Sequence, residues 1–169
     1  MKMLIGGKQV DSSNGKTIDV TSPITGELID TVPAATKEDV NRALDYSKIG
    51  FKKWSSTTVL QRERVFMKYR ELLNKPENKR WFLEHTCQEM GIARSVSNFN
   101  FFQAESIFAG YIESVKRNDG KLLVPGTELG HDTHTEKDMI MVTTEPIGTV
   151  VGIVPFNAPM LLFSYKAAP

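Results

Sequence analysis

The sequence predicts an α/β fold on three observations. Near its carboxyl end the chain carries a nearly continuous β-branched run, Ile147, Val150, Val151, Ile153 and Val154, of the kind found in strands buried on both faces of a parallel sheet. Four successive segments in the middle place apolar residues at helical spacing, and the amino-terminal stretch alternates around turn-forming residues. A strand buried on both faces needs neighbours on either side. The 169 residues supply too few other strands for that sheet, so the fold reads as incomplete over this length.

In chain order, Leu4 to Val10 and Thr17 to Val20 alternate around Ser12-Ser-Asn-Gly15, and Leu28 to Val32 adds another short extended segment. Small hairpins are expected there. Thr36 suits an N-cap, and Asp39 three residues later completes a capping-box pattern. Val40, Ala43, Leu44, Phe51 and Trp54 then recur at helical spacing. A second helix is expected from about Thr58 to Leu73, burying Val65, Phe66, Tyr69, Leu72 and Leu73, until Asn74-Lys-Pro76 interrupts it. The third begins near Glu77, carries Trp81, Phe82, Cys87 and Met90, and stops at Gly91, a residue fit for a left-handed cap. The fourth runs near Ser97 to Arg117, with Phe101, Ala104, Phe108, Tyr111, Ile112 and Val115 on one stripe. Asn118-Asp-Gly120 and Pro125-Gly126 mark a long connection. Thr135 to Glu145 alternates enough to form a strand.

The last strand leads into the most specific loop. Gly148 and Gly152 leave room for close backbone approach, and Pro155, having no N–H to donate, ends the ladder. Pro159 biases Ala158 away from helical geometry, so Phe156 to Ala158 should be extended or turn-like and hold Asn157 on a rigid loop. Loops at the carboxyl ends of strands are where open α/β sheets bind ligands. An amide there can donate to developing negative charge. On the residues alone, the simpler reading is a turn residue that satisfies local backbone groups.

Composition narrows the function classes without naming one. Apolar residues make up 40% and charged residues 24%, as in ordinary globular proteins. With 21 basic and 20 acidic residues, the net charge of +1 gives no electrostatic case for nucleic acid or an anionic membrane as partner. The amino-terminal Met1 to Gly7 is too short and too soon interrupted to be a signal-peptide core. No apolar stretch approaches the length that spans a bilayer, so a cytoplasmic location is expected. The single cysteine, Cys87, cannot form an intrachain disulfide. It lies mid-helix among Trp81, Phe82 and Met90 with no cationic group clearly placed to activate it, so it reads as a structural thiol. His131-Asp-Thr-His134 with Glu136 is weak as metal spacing in a polar connection, and no metal is expected. The chain shows no Gly-rich phosphate loop, zinc-finger spacing or Gly-x-Ser-x-Gly elbow.

Glu145-Pro-Ile-Gly148, Val151-Gly-Ile-Val-Pro-Phe-Asn-Ala-Pro159 and Lys166-Ala-Ala-Pro169 resemble the start of the dinucleotide-binding core of the NAD(P)-dependent aldehyde dehydrogenases. Upstream, Ile5-Gly-Gly-Lys8, Asp11-Ser-Ser-Asn-Gly-Lys16 and Ser22-Pro-Ile-Thr-Gly-Glu27 resemble that family's amino-terminal hairpins, and Val32 to Val40 resembles the approach to its first helix. The order is colinear over the whole chain. The resemblance implies three parts: hairpins and helices over 1–126, an oligomerisation-type strand over 127–146, and the first strand and asparagine loop of a Rossmann-like sheet over 147–169. It implies a homo-oligomer formed through the 135–145 strand.

The resemblance also assigns roles. In the family a cysteine thiolate attacks the aldehyde, an asparagine amide and a backbone N–H hold the resulting oxyanion, and hydride passes to nicotinamide. Asn157 matches that asparagine, Lys166 matches a lysine often found after the loop and is a catalytic candidate close to the reaction centre, with a surface or helix-end lysine as the alternative, and Ile153, Val154, Pro155 and Phe156 match positions lining the nicotinamide and ribose. The family loop usually reads Pro-Trp-Asn-Phe-Pro, so Phe156 and Ala158 shrink the side chains beside the substrate. The family's nucleophile, its general-base glutamate and its phosphate-binding turn fall beyond residue 169. The cofactor is therefore expected to be NAD or NADP in the complete protein, the substrate an aldehyde, and the 169-residue chain alone inactive. The alternative is a short, non-catalytic protein of the same descent that associates with itself or with a full-length relative through its helices and its 135–145 strand edge.

Overall fold

Two antiparallel hairpins open the structure, a computed structural model that describes residues 1–117, 120–123 and 139–169. β1 (Met3–Ile5) pairs with β2 (Lys8–Val10), and β3 (Thr17–Thr21) pairs with β4 (Leu28–Pro33). The alternation from Leu4 to Val10 is thus two strands, not one. The chain reverses at Gly6 and Gly7, whose φ values of 60° and 77° give the tight two-residue turn that matches strand twist. An added Cβ at Gly6 would lie 2.7 Å from the Tyr46 ring, so the turn sits directly on the first helix.

That helix, α1 (Lys37–Ser55), begins where the Thr36–Asp39 capping box predicts. Asp39 does more than cap. Its carboxylate, only 1% exposed, accepts from the Thr36 N–H at 3.0 Å and the Ser13 N–H at 3.1 Å. The hydroxyls of Thr36 at 3.0 Å, Ser13 at 3.2 Å and Ser12 at 3.4 Å, with Arg42 Nη2 at 2.9 Å, complete its shell. These bonds tie the Ser12–Ser13 turn to the helix start. They hold the carboxyl down at about 2, the Thr36 backbone N–H being the largest cause and that of Ser13 the next, with burial opposing both. A carboxyl lowered from 3.8 stabilises the fold above its unfolded value, and that contribution drains away as pH falls from about 4 through about 2. Asp39→Asn should therefore lower the urea midpoint at pH 7 and flatten its decline toward pH 2. Urea titrations of both proteins across that range measure the difference.

α2 (Val59–Leu73) starts with a second capping box, Thr58 with Gln61. α3 (Pro76–Met90) carries Pro76 at its first position and ends on Gly91 in the left-handed region, φ 64°. α4 (Arg94–Val115) begins three residues before the expected Ser97, because Ala93 caps it without a side-chain bond and leaves no sequence signal. The core lies among α2, α3 and α4: Leu73, Leu83 and Phe101 are buried together with Tyr69, Phe82 and Met160 against them. Phe108 fixes α2 to α4, its ring 4.8 Å from Tyr69 and 5.7 Å from Phe66 between centroids. Burial raises the Tyr69 hydroxyl pKa. Arg70 pairs with Glu105, and Lys116 with Glu63 at 2.5 Å, along the same seam.

The expected burial of Val65 and Leu72 is not realised, and Val40, Leu44 and Trp54 are also exposed. Trp54 nevertheless meets the seam, its ring edge-on to Phe66 with centroids 6.1 Å apart. Beyond the helices, β5 (Lys121–Leu123) pairs antiparallel with β6 (Ile140–Val142), so only the 140–142 part of the expected Thr135–Glu145 strand is laddered; residues 135–138 lie outside the described residues. So do the Asn118-Asp pair, Pro125-Gly126, and the His131, His134 and Glu136 group. The run 147–154 is unpaired, and α5 (Pro159–Ala167) follows it along α4.

Candidate functional site

The predicted site residues converge on the ribbon and turn that precede α5. Ile147 is 94% exposed, Ile153 85% and Phe156 86%, so the expected double burial of this run is overturned. Backbone groups of 145–156 make no hydrogen bond among the described residues. The reason is the partner count: each sheet among the described residues has two strands, and none of those strands pairs with this segment. Val154 is half-buried, Pro155 exposed.

Asn157 occupies the turn as expected, exposed, with its carboxamide making no hydrogen bond among the described residues. That is unlike a turn residue that spends its side chain on nearby backbone groups. Ala158 is buried at 7% exposure and, with Pro159 and Met160, seats the start of α5 against Phe82, Leu83 and Phe101 of α3 and α4. Ser164 and Ala168, buried on α5, continue that seat. The helix was not anticipated; Pro159 at its first turn and the apolar residues after it are the signal that could have revealed it.

Lys166 lies on α5, its head exposed and its stem against the ribbon. A Cβ built on Gly152 would sit 3.3 Å from Lys166 Cβ, so the glycine admits this approach. Gly152 and Lys166 thereby close a loop with Asn157 between them. A groove of about 750 Å³ lies elsewhere: Trp54, Phe66, Tyr111 and Pro169 line it at the other end of α5. Cys87 is half-buried on α3, its carbonyl accepting the Gly91 N–H at 3.0 Å. No group of three or more His, Cys, Asp and Glu side chains is set to hold a metal among the described residues, and no described helix is long and apolar enough to cross a membrane.

Hairpins, packed helices and an extended ribbon ending at an uncommitted asparagine make a mixed α/β unit whose last elements carry the candidate site. Residues 10–169 match the pattern of the Aldehyde dehydrogenase family, and the chain belongs to that family. It is 32% identical over its whole length to the D-glyceraldehyde dehydrogenase (NADP(+)) of Picrophilus torridus, covering 32% of that protein. It is 35% identical to malonate-semialdehyde dehydrogenase 1 of Geobacillus thermodenitrificans over 96% of this chain and 31% of the relative. The chain thus spans about a third of the length of the curated relatives it matches. Among solved structures, the NADP-dependent glyceraldehyde-3-phosphate dehydrogenase of Bacillus halodurans C-125, complexed with NADP, superposes with a TM-score of 0.89 at 26% identity. The match covers 99% of this chain and 34% of that one.

Proposed function

We propose that this chain contributes the oxyanion donor and part of the cofactor platform to an enzyme oxidising an aldehyde to a carboxylic acid with NAD or NADP. The observation that carries this reading is the Asn157 carboxamide, exposed and unbonded among the described residues at the carboxyl end of the ribbon. Its N–H groups can donate to an aldehyde oxygen as that oxygen gains negative charge. Ile153, Val154, Pro155 and Phe156 fit a nicotinamide and ribose: Ile153, Pro155 and Phe156 present exposed apolar side chains for a ring, Val154 is half-buried beside them, and their backbone groups, with no partner among the described residues, are available to its amide and hydroxyls. When bound, the nicotinamide supplies a hydride acceptor. Lys166 stands on the far side of the closed loop and would fix the course of the ribbon beneath that ring.

The three-part division at 126 and 146, a cytoplasmic location, and self-association through the 135–145 strand belong to the same reading. The nucleophile does not. Cys87 is the single thiol of these 169 residues, and its helical position beneath the Gly91 cap suits a packing role. The purified 169-residue chain, mixed with glyceraldehyde or malonate semialdehyde and either cofactor, should give no absorbance increase at the reduced-nicotinamide wavelength above background. Sustained cofactor reduction that survives Cys87→Ser would refute this division of labour.

A further inference from the structure

We infer that Asn14-Gly15 is a self-modifying site, at which the Asn14 carboxamide nitrogen is lost as ammonia at a rate set by how firmly Asp39 holds the turn that carries it. The chemistry follows from the pair of residues, and no other asparagine of the sequence precedes a glycine. With no side chain at Gly15 to obstruct it, the Gly15 nitrogen gives up its hydrogen and bonds to Asn14 Cγ, the Cγ–Nδ2 bond breaks, and Nδ2 departs as ammonia. Water then opens the cyclic imide at either carbonyl, giving aspartate or, with the main chain rerouted through the side chain, isoaspartate. Water is the co-reactant, and no electrons change hands.

The turn both favours this reaction and restrains it. Asn14 and Gly15 are exposed, and a Cβ built on Gly15 meets nothing within 4 Å. The Asn14 Nδ2 makes no hydrogen bond among the described residues, so the leaving group is unrestrained. Its Oδ1 accepts from the Lys16 N–H at 2.9 Å, a donor placed on the oxygen that gains negative charge during attack. Against this, the Gly15 N–H is committed to the Ser12 carbonyl at 2.9 Å. The nucleophile is masked while the turn is closed.

Asp39 keeps it closed. Its carboxylate takes the Ser13 N–H at 3.1 Å and the Ser13 hydroxyl at 3.2 Å, so the middle of the turn moves only when that anchor yields. The product acts back on the anchor. Asn14 Oδ1 lies 2.9 Å from Ser12 Oγ, which lies 3.4 Å from Asp39 Oδ2, so a carboxylate at position 14 sets a second negative charge one hydroxyl away from the buried one. Isoaspartate lengthens the backbone by one methylene between the Ser12 carbonyl and the Gly15 N–H. Each conversion therefore loosens the tie between this turn and α1, and water does not reverse it.

The 169-residue chain, incubated at mildly alkaline pH, is digested and followed by mass spectrometry, with isoaspartate detected by its enzymatic methylation. A gain of one mass unit should accumulate at Asn14 faster than at Asn41, Asn74, Asn78 or Asn157, and Asn14→Gln should abolish it. The folded chain should convert at least about tenfold more slowly than the same chain in denaturing urea, and Asp39→Asn should recover about tenfold of that difference. Should Asp39→Asn fail to fold, the native chain below its urea transition gives the same reading. Conversion at Asn14 should then climb in step with hydrogen exchange at the Ser13 and Gly15 amides. A rate that stays level while those amides open, or that is the same in folded and unfolded chains, overturns the gate. Conversion no faster at Asn14 than at the other asparagines overturns the site.

Discussion

Asn157→Ala, introduced into a fusion that joins the unmatched two thirds of a relative in frame after Pro169, should lower kcat by roughly 100-fold to 1000-fold, the usual effect of removing one donor from an oxyanion site. The loss should appear equally in kcat and kcat/KM, because the amide acts on charge that develops only as the reaction proceeds. Asn157→Asp should be at least as damaging, since a carboxylate has the wrong sign for that oxygen. Thermal stability should barely move in either variant: the side chain is exposed and makes no hydrogen bond among the described residues that truncation could break. Steady-state kinetics with a melting curve on the same sample distinguish the two effects. Turnover within a factor of two of the parent would remove Asn157 from the chemistry.

The largest effect on stability is expected at Phe108. Its ring is 3% exposed and touches both Phe66 and Tyr69, so Phe108→Ala leaves a void at the seam between α2 and α4. Truncations of this kind cost about 3–5 kcal/mol. For a chain of this length that corresponds to a fall in Tm on the order of 10 °C. Phe102→Ala makes the comparison, because Phe102 lies on the same helix at 63% exposure and should change stability by no more than about 0.5 kcal/mol. Equal destabilisation by the two substitutions would mean that the α2–α4 seam is not the core.

Most of the helical architecture was legible because its boundaries are written in local chemistry. Thr36 with Asp39 and Gly91 at the end of α3 satisfy backbone groups whose positions do not depend on the rest of the fold. Where such side-chain chemistry is missing, the boundary is not legible, as at the start of α4, where the Ala93 carbonyl accepts from Val96 and Ser97 but its side chain offers no cap. The Gly6-Gly7 reversal is legible in the resemblance of Ile5-Gly-Gly-Lys8 to a hairpin but not in the periodicity, where Leu4 to Val10 reads as one alternating segment. β5 follows Gly120 with only three residues and no pattern to announce it. The 147–154 run shows the opposite limit. Its residue types were read correctly as sheet-forming, but burial belongs to a strand and its neighbours together, and no described strand lies beside it. The candidate site was legible as a loop with an amide between two prolines. Its closure by Gly152 on Lys166 was not, since that contact joins residues on two different elements and depends on a helix that the sequence reading did not include.

The Gly152–Lys166 closure also bears on how the amide is aimed. A side chain tethered by its own hydrogen bond must break it to greet a guest, and the exchange yields little net attraction. Here the backbone alone sets the direction, through a hoop whose two ends are pressed together, while both amide hydrogens stay unspent. Loosening the hoop would leave every reactive atom in place yet blunt the welcome it gives to an incoming carbonyl.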